Sequence, residues 1–187
     1  MSAEGGPRPR RHDPARRERI VEATLDVIAR HGVAGTTHRK VAAAADVPLG
    51  SMTYHFTGID DLLTAAFTRL ADSTADGFEH ALAAADGRAD AVEAVVGLIT
   101  GEVLSSRRNA LLSYELYALA ARNAALRRVT DAWMARSRHA LERHFDPDTA
   151  VMLDALIEGL SIHRALALTP LPETAVREAV RRIVGTR

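Results

Sequence analysis

The sequence predicts an all-α fold. Alanine and leucine dominate its apolar residues, β-branched clusters are scarce, and apolar positions recur at helical spacing between recognisable caps and breaks. About nine helices fit the 187 residues.

Residues 1–12 (MSAEGGPRPRRH) are rich in Gly, Pro and Arg and read as a disordered basic arm. Two roles for it stay open, a strand tracking a nucleic-acid backbone and a plain solvated tail. Asp13-Pro14 predicts the start of helix 1, with Asp as N-cap and Pro in the first helical position. Ile20, Ala23, Leu25, Val27 and Ile28 give that helix a buried face, and Gly32 ends it with a left-handed cap. Thr36 or Thr37 caps helix 2, which runs to about Ala45. Asp46, Val47 and Pro48 form a turn, and helix 3 covers about Leu49 to Phe56.

Helix 4 starts near Ile59 and continues toward Ala84, with Leu62, Leu63, Ala66, Phe67 and Leu70 on one side. Asp86-Gly87 breaks the chain. Helix 5 spans about Ala89 to Leu104, helix 6 about Arg108 to Ala121, and helix 7 about Leu126 to His144. Asp146-Pro147 repeats the cap-plus-proline start for helix 8, which ends near Leu168. A turn through Pro170 and Pro172 leads into helix 9, ending near Val184. Helix 8 is apolar around most of its circumference, so it must be buried on most sides. In a chain this small, one side packs on its own core and the other on a second subunit. Leu153, Leu156, Ile157 and Leu160 are the expected dimer residues, with Gly159 and Ser161 admitting a close backbone.

Several functions are excluded or disfavoured. Without cysteine there is no disulfide, zinc thiolate site or cysteine nucleophile. No apolar run approaches the roughly 20 residues of a membrane span, and the arginine-bearing N-terminus lacks an apolar h-region. A cytoplasmic protein with no membrane partner is expected. HExxH, GxSxG, GxxxxGK and GxGxxG are all missing, so neither an enzyme nor a cofactor is expected. The histidines show no paired ligand spacing, and no metal site is expected.

The net charge is zero, but its distribution is uneven. Residues 1–57 hold nine basic and six acidic side chains, a balance of +3, against fifteen and eighteen, or −3, in 58–187. Nucleic-acid affinity depends on local phosphate neutralisation and not on the chain average. The stretch from Gly32 to Leu63 has the pattern of a helix-turn-helix. Val41, Ala42 and Ala45 pack helix 2 inward, Val47 covers the turn, and Met52 and Phe56 point helix 3 into the core. Leu49, Gly50, Ser51, Thr53, Tyr54 and His55 are left to face solvent or DNA. Small side chains at the start of a recognition helix let it sit deep in a major groove about 12 Å wide. Thr37 at an N-cap can present backbone N–H groups and a hydroxyl to a phosphate, and Arg39, Lys40, Tyr54 and His55 can reach neighbouring phosphates.

Here the sequence resembles the TetR family of bacterial transcriptional regulators. The resemblance covers residues 16–67, from RRERIVEATLDVIARHG through TTHRKVAAAADV and GSMTYHF to DDLLTAAF. It implies an all-helical homodimer with a helix-turn-helix domain at 13–58 and an effector-binding and dimerisation domain at 59–187. It also implies repression of a near-palindromic operator, released when a small molecule binds and swings helix 4. Carried over by position, Thr37, Arg39, Gly50, Ser51, Thr53, Tyr54 and His55 would face DNA. Three positions depart from the family. Asp46 stands at the usual turn glycine, Thr53 where a phosphate-binding tyrosine is common (Tyr54 is next to it), and Ile59 where a lysine often contacts phosphate.

An effector pocket should be apolar with a few placed polar groups. Phe78, Tyr114, Tyr117, Trp133, Met134, Met152 and His163 are the candidates, and they suggest an apolar or aromatic effector. The competing reading is an all-helical enzyme or lipid-binding module without DNA binding. Gly50, Ser51 and Thr53 argue against it, being poor choices for a buried seam.

Overall fold

Nine α-helices and no strand occur among the described residues, 13–101, 106–169 and 171–185, of the computed structural model. In chain order they are α1 (Arg16–His31), α2 (His38–Ala44), α3 (Gly50–His55), α4 (Ile59–Ala83), α5 (Arg88–Thr100), α6 (Arg107–Ala120), α7 (Ala124–Leu141), α8 (Pro147–Leu166) and α9 (Glu173–Val184). The basic arm, the expected end of helix 5 at 102–104 and Pro170 lie outside the described residues.

The two Asp-Pro pairs behave differently. Asp146 caps α8 as expected, accepting the Thr149 N–H at 3.0 Å, with Pro147 in the first helical position. Asp13 does not cap α1, whose N-cap is Ala15. Its carboxylate instead accepts the Ala15 N–H at 3.2 Å and binds Arg19 at 2.6 Å, so the pair forms a turn ahead of the helix. Gly32 closes α1 at φ 66°, the left-handed conformation that favours glycine, and its N–H returns to the Ile28 carbonyl. Asn123 caps α7 through the N–H groups of Ala125 and Leu126.

The buried side chains form two clusters. The first joins α1, α2 and α3 to the first half of α4, with Leu112 and Leu116 of α6 and Trp133 of α7. The second joins Phe78 and Leu82, near the end of α4, to α5, the end of α7, α8 and α9. One 25-residue helix therefore contributes to both. Its longest packing is against α7.

The structure corrects two of the four expected dimer residues of α8, Leu153 and Ile157. Leu153 and Ile157 belong to the chain's own second core, at 0 % and 3 % exposure, and Leu156 and Leu160 are half-buried against it. The exposed large apolar side chains of α8 are Val151, Met152 and Leu166. Nearly continuous hydrophobicity hides which side faces inward, and only the neighbouring helices decide it.

Phe67 is fully buried within the first cluster. Phe67→Ala is expected to destabilise the fold by about 3–5 kcal/mol. Urea unfolding should show a lower midpoint with an unchanged slope.

Candidate DNA-binding face and effector pocket

The helix-turn-helix is set by short-range bonds. Thr37 is extended at the N-cap of α2, and its hydroxyl accepts the Lys40 N–H at 3.3 Å. Asp46 adopts φ 52°, so an aspartate meets the left-handed demand of the turn. The Val47 N–H returns to the Ala42 carbonyl at 3.0 Å. Met52 and Phe56 are buried, which pins α3 to the first core.

Thr37, Arg39, Lys40, Leu49, Gly50, Thr53 and Tyr54 are exposed, and His55 is partly so. Tyr54 is 84 % exposed, with its ring edge-on to His55 at 4.8 Å. The Lys40 ammonium donates to the Gly35 carbonyl at 2.8 Å, a bond it must exchange to reach a phosphate. Ser51 departs from the expected outward set, because its side chain is only 9 % exposed. It sits where the chain folds back into α3 through the bond from its N–H to the Pro48 carbonyl. A Cβ built on Gly50 would meet nothing within 4 Å, so the packing of the chain does not require glycine there.

Two neighbours complete this face. Arg17 of α1 is exposed and holds its guanidinium 5.2 Å from the centre of the Phe56 ring, a fixed cation beside the end of α3. The sequence reading did not place it there, because its nearness to α3 arises only when α1 packs across Phe56. Ile59 is half-buried against the first core and serves packing. Asp61 closes the entry to α4 by accepting the Thr57 N–H at 2.9 Å.

Between the two cores lies a cavity of about 210 Å³. Phe78, Tyr117, Trp133, Met134 and Ile157 are its apolar walls, and Asp154 and Glu158 are its acids. The Tyr117 and Trp133 rings stack with centroids 6.1 Å apart and planes 22° from parallel. Tyr114 lines a smaller crevice that shares Trp133 and Glu158 with the cavity. Met152 and His163 are exposed and line neither space. A helix turns by about 200° over two residues, so Met152 stands nearly opposite Asp154. A larger, open cleft of about 620 Å³ between α5, α8 and α9 contains no aromatic wall.

The acids are the residues that sequence reasoning missed. Their signal was present, as two carboxylates four residues apart in the apolar middle of α8. Burial pushes the Glu158 carboxyl above the usual carboxylate range. A hydrogen bond from Tyr117 partly offsets this, and the Asp154 charge adds to it. Burial also raises Asp154, opposed by the Arg138 guanidinium 3.7 Å away. Tyr117 is pushed up by burial and by Glu158, so its phenol stays neutral. Glu158 has no basic partner among the described residues. A carboxyl group thus lines the same cavity as two stacked rings, with no cation beside it among the described residues.

Residues 20–66 match the family profile described as bacterial regulatory proteins, tetR family, and residues 86–186 match that of the tetracyclin repressor-like C-terminal domain. The chain belongs to the TetR family. It is therefore a DNA-binding transcriptional regulator with a small-molecule effector, and not an enzyme. It is 54 % identical to SCO7518 of Streptomyces coelicolor A3(2), a protein described as a transcriptional regulator. That match covers 92 % of this chain and all of the other, with a TM-score of 0.85. It is 38 % identical to the multidrug binding protein EbrR in its complex with ethidium, over 92 % of this chain and all of that one, at a TM-score of 0.78. EbrR has also been solved with proflavin and with malachite green. The transcriptional regulator BetI of Klebsiella pneumoniae (strain 342) is 28 % identical over 173 residues, 86 % of this chain and 88 % of its own.

In this TetR-family protein, side-chain bonds connect the helices of the cavity to those of the helix-turn-helix. Arg136, next to the lining residues of α7, donates to Glu79 at 2.8 Å, Asp76 at 2.6 Å and Asp72 at 3.4 Å, all on α4. From α6, Arg108 binds Asp26 of α1 at 2.8 Å, and Glu115 accepts the Val33 N–H at 3.3 Å.

The open space at Gly50 generates a test. Gly50→Ala should leave thermal stability unchanged or raised by at most about 1 kcal/mol. It should also weaken operator binding in a gel shift. Unaltered binding would show that α3 does not approach DNA closely at this point.

Proposed function

We propose that the protein is a cytoplasmic repressor released from a near-palindromic operator by a compact, planar aromatic cation. Thr37, Arg39, Lys40, Leu49, Gly50, Thr53, Tyr54 and His55 form the DNA face of each protomer, with Arg17 at its edge. Ser51 contributes through the turn it helps to form. The exposure of this set around a buried Met52 and Phe56 supports the assignment.

The effector class rests on one observation: Glu158 lies without a basic partner beside the stacked Tyr117 and Trp133 rings. A planar cation would meet a carboxylate and aromatic faces together, and each favours positive charge. An anion would meet an uncompensated carboxylate. The cavity is smaller than the roughly 300–1,000 Å³ of drug-sized sites, which suits a compact ring system. The complexes of EbrR with ethidium, proflavin and malachite green, all cationic aromatic dyes, support the same reading.

A second copy would pack on the outer face of α8. Val151, Met152 and Leu166 are exposed there, and a Cβ at Gly159 would meet nothing within 4 Å. A dimer so formed would set its two α3 helices in successive major grooves about 34 Å apart. An effector wedged between α4, α7 and α8 would shift α4 through the Arg136 ion pairs and change that spacing. Coupling of this kind is usually worth ~1–3 kcal/mol.

Two measurements check this reading. Proflavin should release the protein from its own upstream DNA in a gel shift, and Glu158→Gln should abolish release while leaving DNA binding intact. Because both carboxyls are raised, they are protonated in a higher pH range than ordinary acids. Cation binding draws a proton off, so affinity should fall as pH falls, with the decline starting above the usual carboxylate range near about 4. Stability of the free protein runs the opposite way: the raised carboxyls favour the fold most at low pH, and this contribution is lost as pH rises through their folded values. An affinity that does not change with pH would reject the carboxylate's role. Separately, Met152→Glu with Leu166→Glu should convert the dimer to a folded monomer in light scattering.

A further inference from the structure

Beside the aromatic cavity lies a crevice of about 30 Å³, room for only a small polar group. Its walls include Tyr114, Ser161, Trp133 and Glu158, the last two shared with the cavity. The Tyr114 hydroxyl and the Ser161 hydroxyl are both buried, and neither has a hydrogen-bond partner. Buried polar groups are nearly always paired in folded proteins, so two unpaired hydroxyls in one crevice mark a place built for an added polar group.

The chemistry of the walls restricts that group. Glu158 as a carboxylate can only accept hydrogen bonds, and hydroxyls can accept or donate. A group with several N–H donors satisfies all three. A quaternary ammonium has no N–H to donate to them. A carboxylate or phosphate would face Glu158. Because the crevice and the cavity share Trp133 and Glu158 as walls, a ring lying against Tyr117 and Trp133 is placed to carry a substituent toward it.

We infer that this crevice is a head-group subsite for an unsubstituted amino group on the aromatic effector, bound by Glu158, Tyr114 and Ser161. The inference rests on the cation reading above and narrows it. The effector is an aminoaromatic cation with free N–H bonds, and N-alkylated analogues are discriminated against. Burial and the nearby Glu158 hold the Tyr114 phenol above its ordinary range, so it meets the amino group as a neutral hydroxyl.

Proflavin and acridine orange test this, since they share a cationic acridine ring and differ in having free or dimethylated amino groups. By fluorescence titration of the full-length protein, proflavin should bind at least about tenfold tighter than acridine orange. In Tyr114→Phe with Ser161→Ala the preference should shrink to within about twofold, through weaker proflavin binding. Tyr114→Phe alone keeps the ring and should show part of the loss, should the double variant fold poorly. Equal binding of the two dyes to the wild type would overturn the subsite and leave the crevice to a resident water. So would a preference that survives in the variants. If neither dye binds the wild type, the cation reading itself fails, and the subsite with it.

Discussion

The structure depends on α4 belonging to both hydrophobic cores at once. Leu62, Leu63, Ala66, Phe67 and Leu70 close the core beneath the helix-turn-helix, while Phe78 and Leu82 close the other. A straight helix of 25 residues is about 37 Å long and is not easily deformed along its axis. A displacement at Phe78, which is also a wall of the cavity, is therefore felt at Leu62 unless the helix bends. The Arg136 ion pairs with Asp72, Asp76 and Glu79 add a lateral hold between α4 and α7. They are part-exposed, so their role here is directional and their net stabilisation is modest.

The cavity shows how such a scaffold accommodates function. A core optimised for stability alone would hold leucines at positions 154 and 158, continuing the apolar run of α8. Instead two carboxyl groups are half-buried there, and only Asp154 has an arginine beside it. Burying an unpaired carboxylate is costly. A carboxyl without a basic partner, two stacked rings and two unsatisfied hydroxyls in one place support the proposal that a bound molecule completes this site. This is the basis for assigning the cavity to the effector in preference to the larger cleft between α5, α8 and α9.

The proposed DNA face follows a different logic. Its supporting residues, Val41, Ala42, Met52 and Phe56, are buried, and the turn bonds come from the backbone and from Thr37 and Asp46. The outward residues are small or polar and make few bonds to the rest of the chain. They are free to be chosen for an external surface. Arg17 extends that surface from a helix far away in sequence.

Much of the molecule was legible in its residues. Helix count, the Gly32 and Asp46 left-handed positions, the Thr37 cap and the inward Met52 and Phe56 all follow from local rules, because caps, turns and amphipathic spacing act within a few residues of chain. The gathering of Phe78, Tyr117, Trp133 and Met134 was anticipated from their size and scarcity. Asp13 shows the limit of even a strong local signal, since a competing arginine six residues on took its carboxylate. On α8 the sequence alone determined that a helix would form and be largely buried. Only the tertiary structure decided that Leu153 and Ile157 face the core, that Met152 and His163 face outward, and that Asp154 and Glu158 meet the aromatic rings. A helix apolar on nearly every side carries no internal mark of its orientation, and that orientation is set by the shapes of α4, α5, α6, α7 and α9 packed around it.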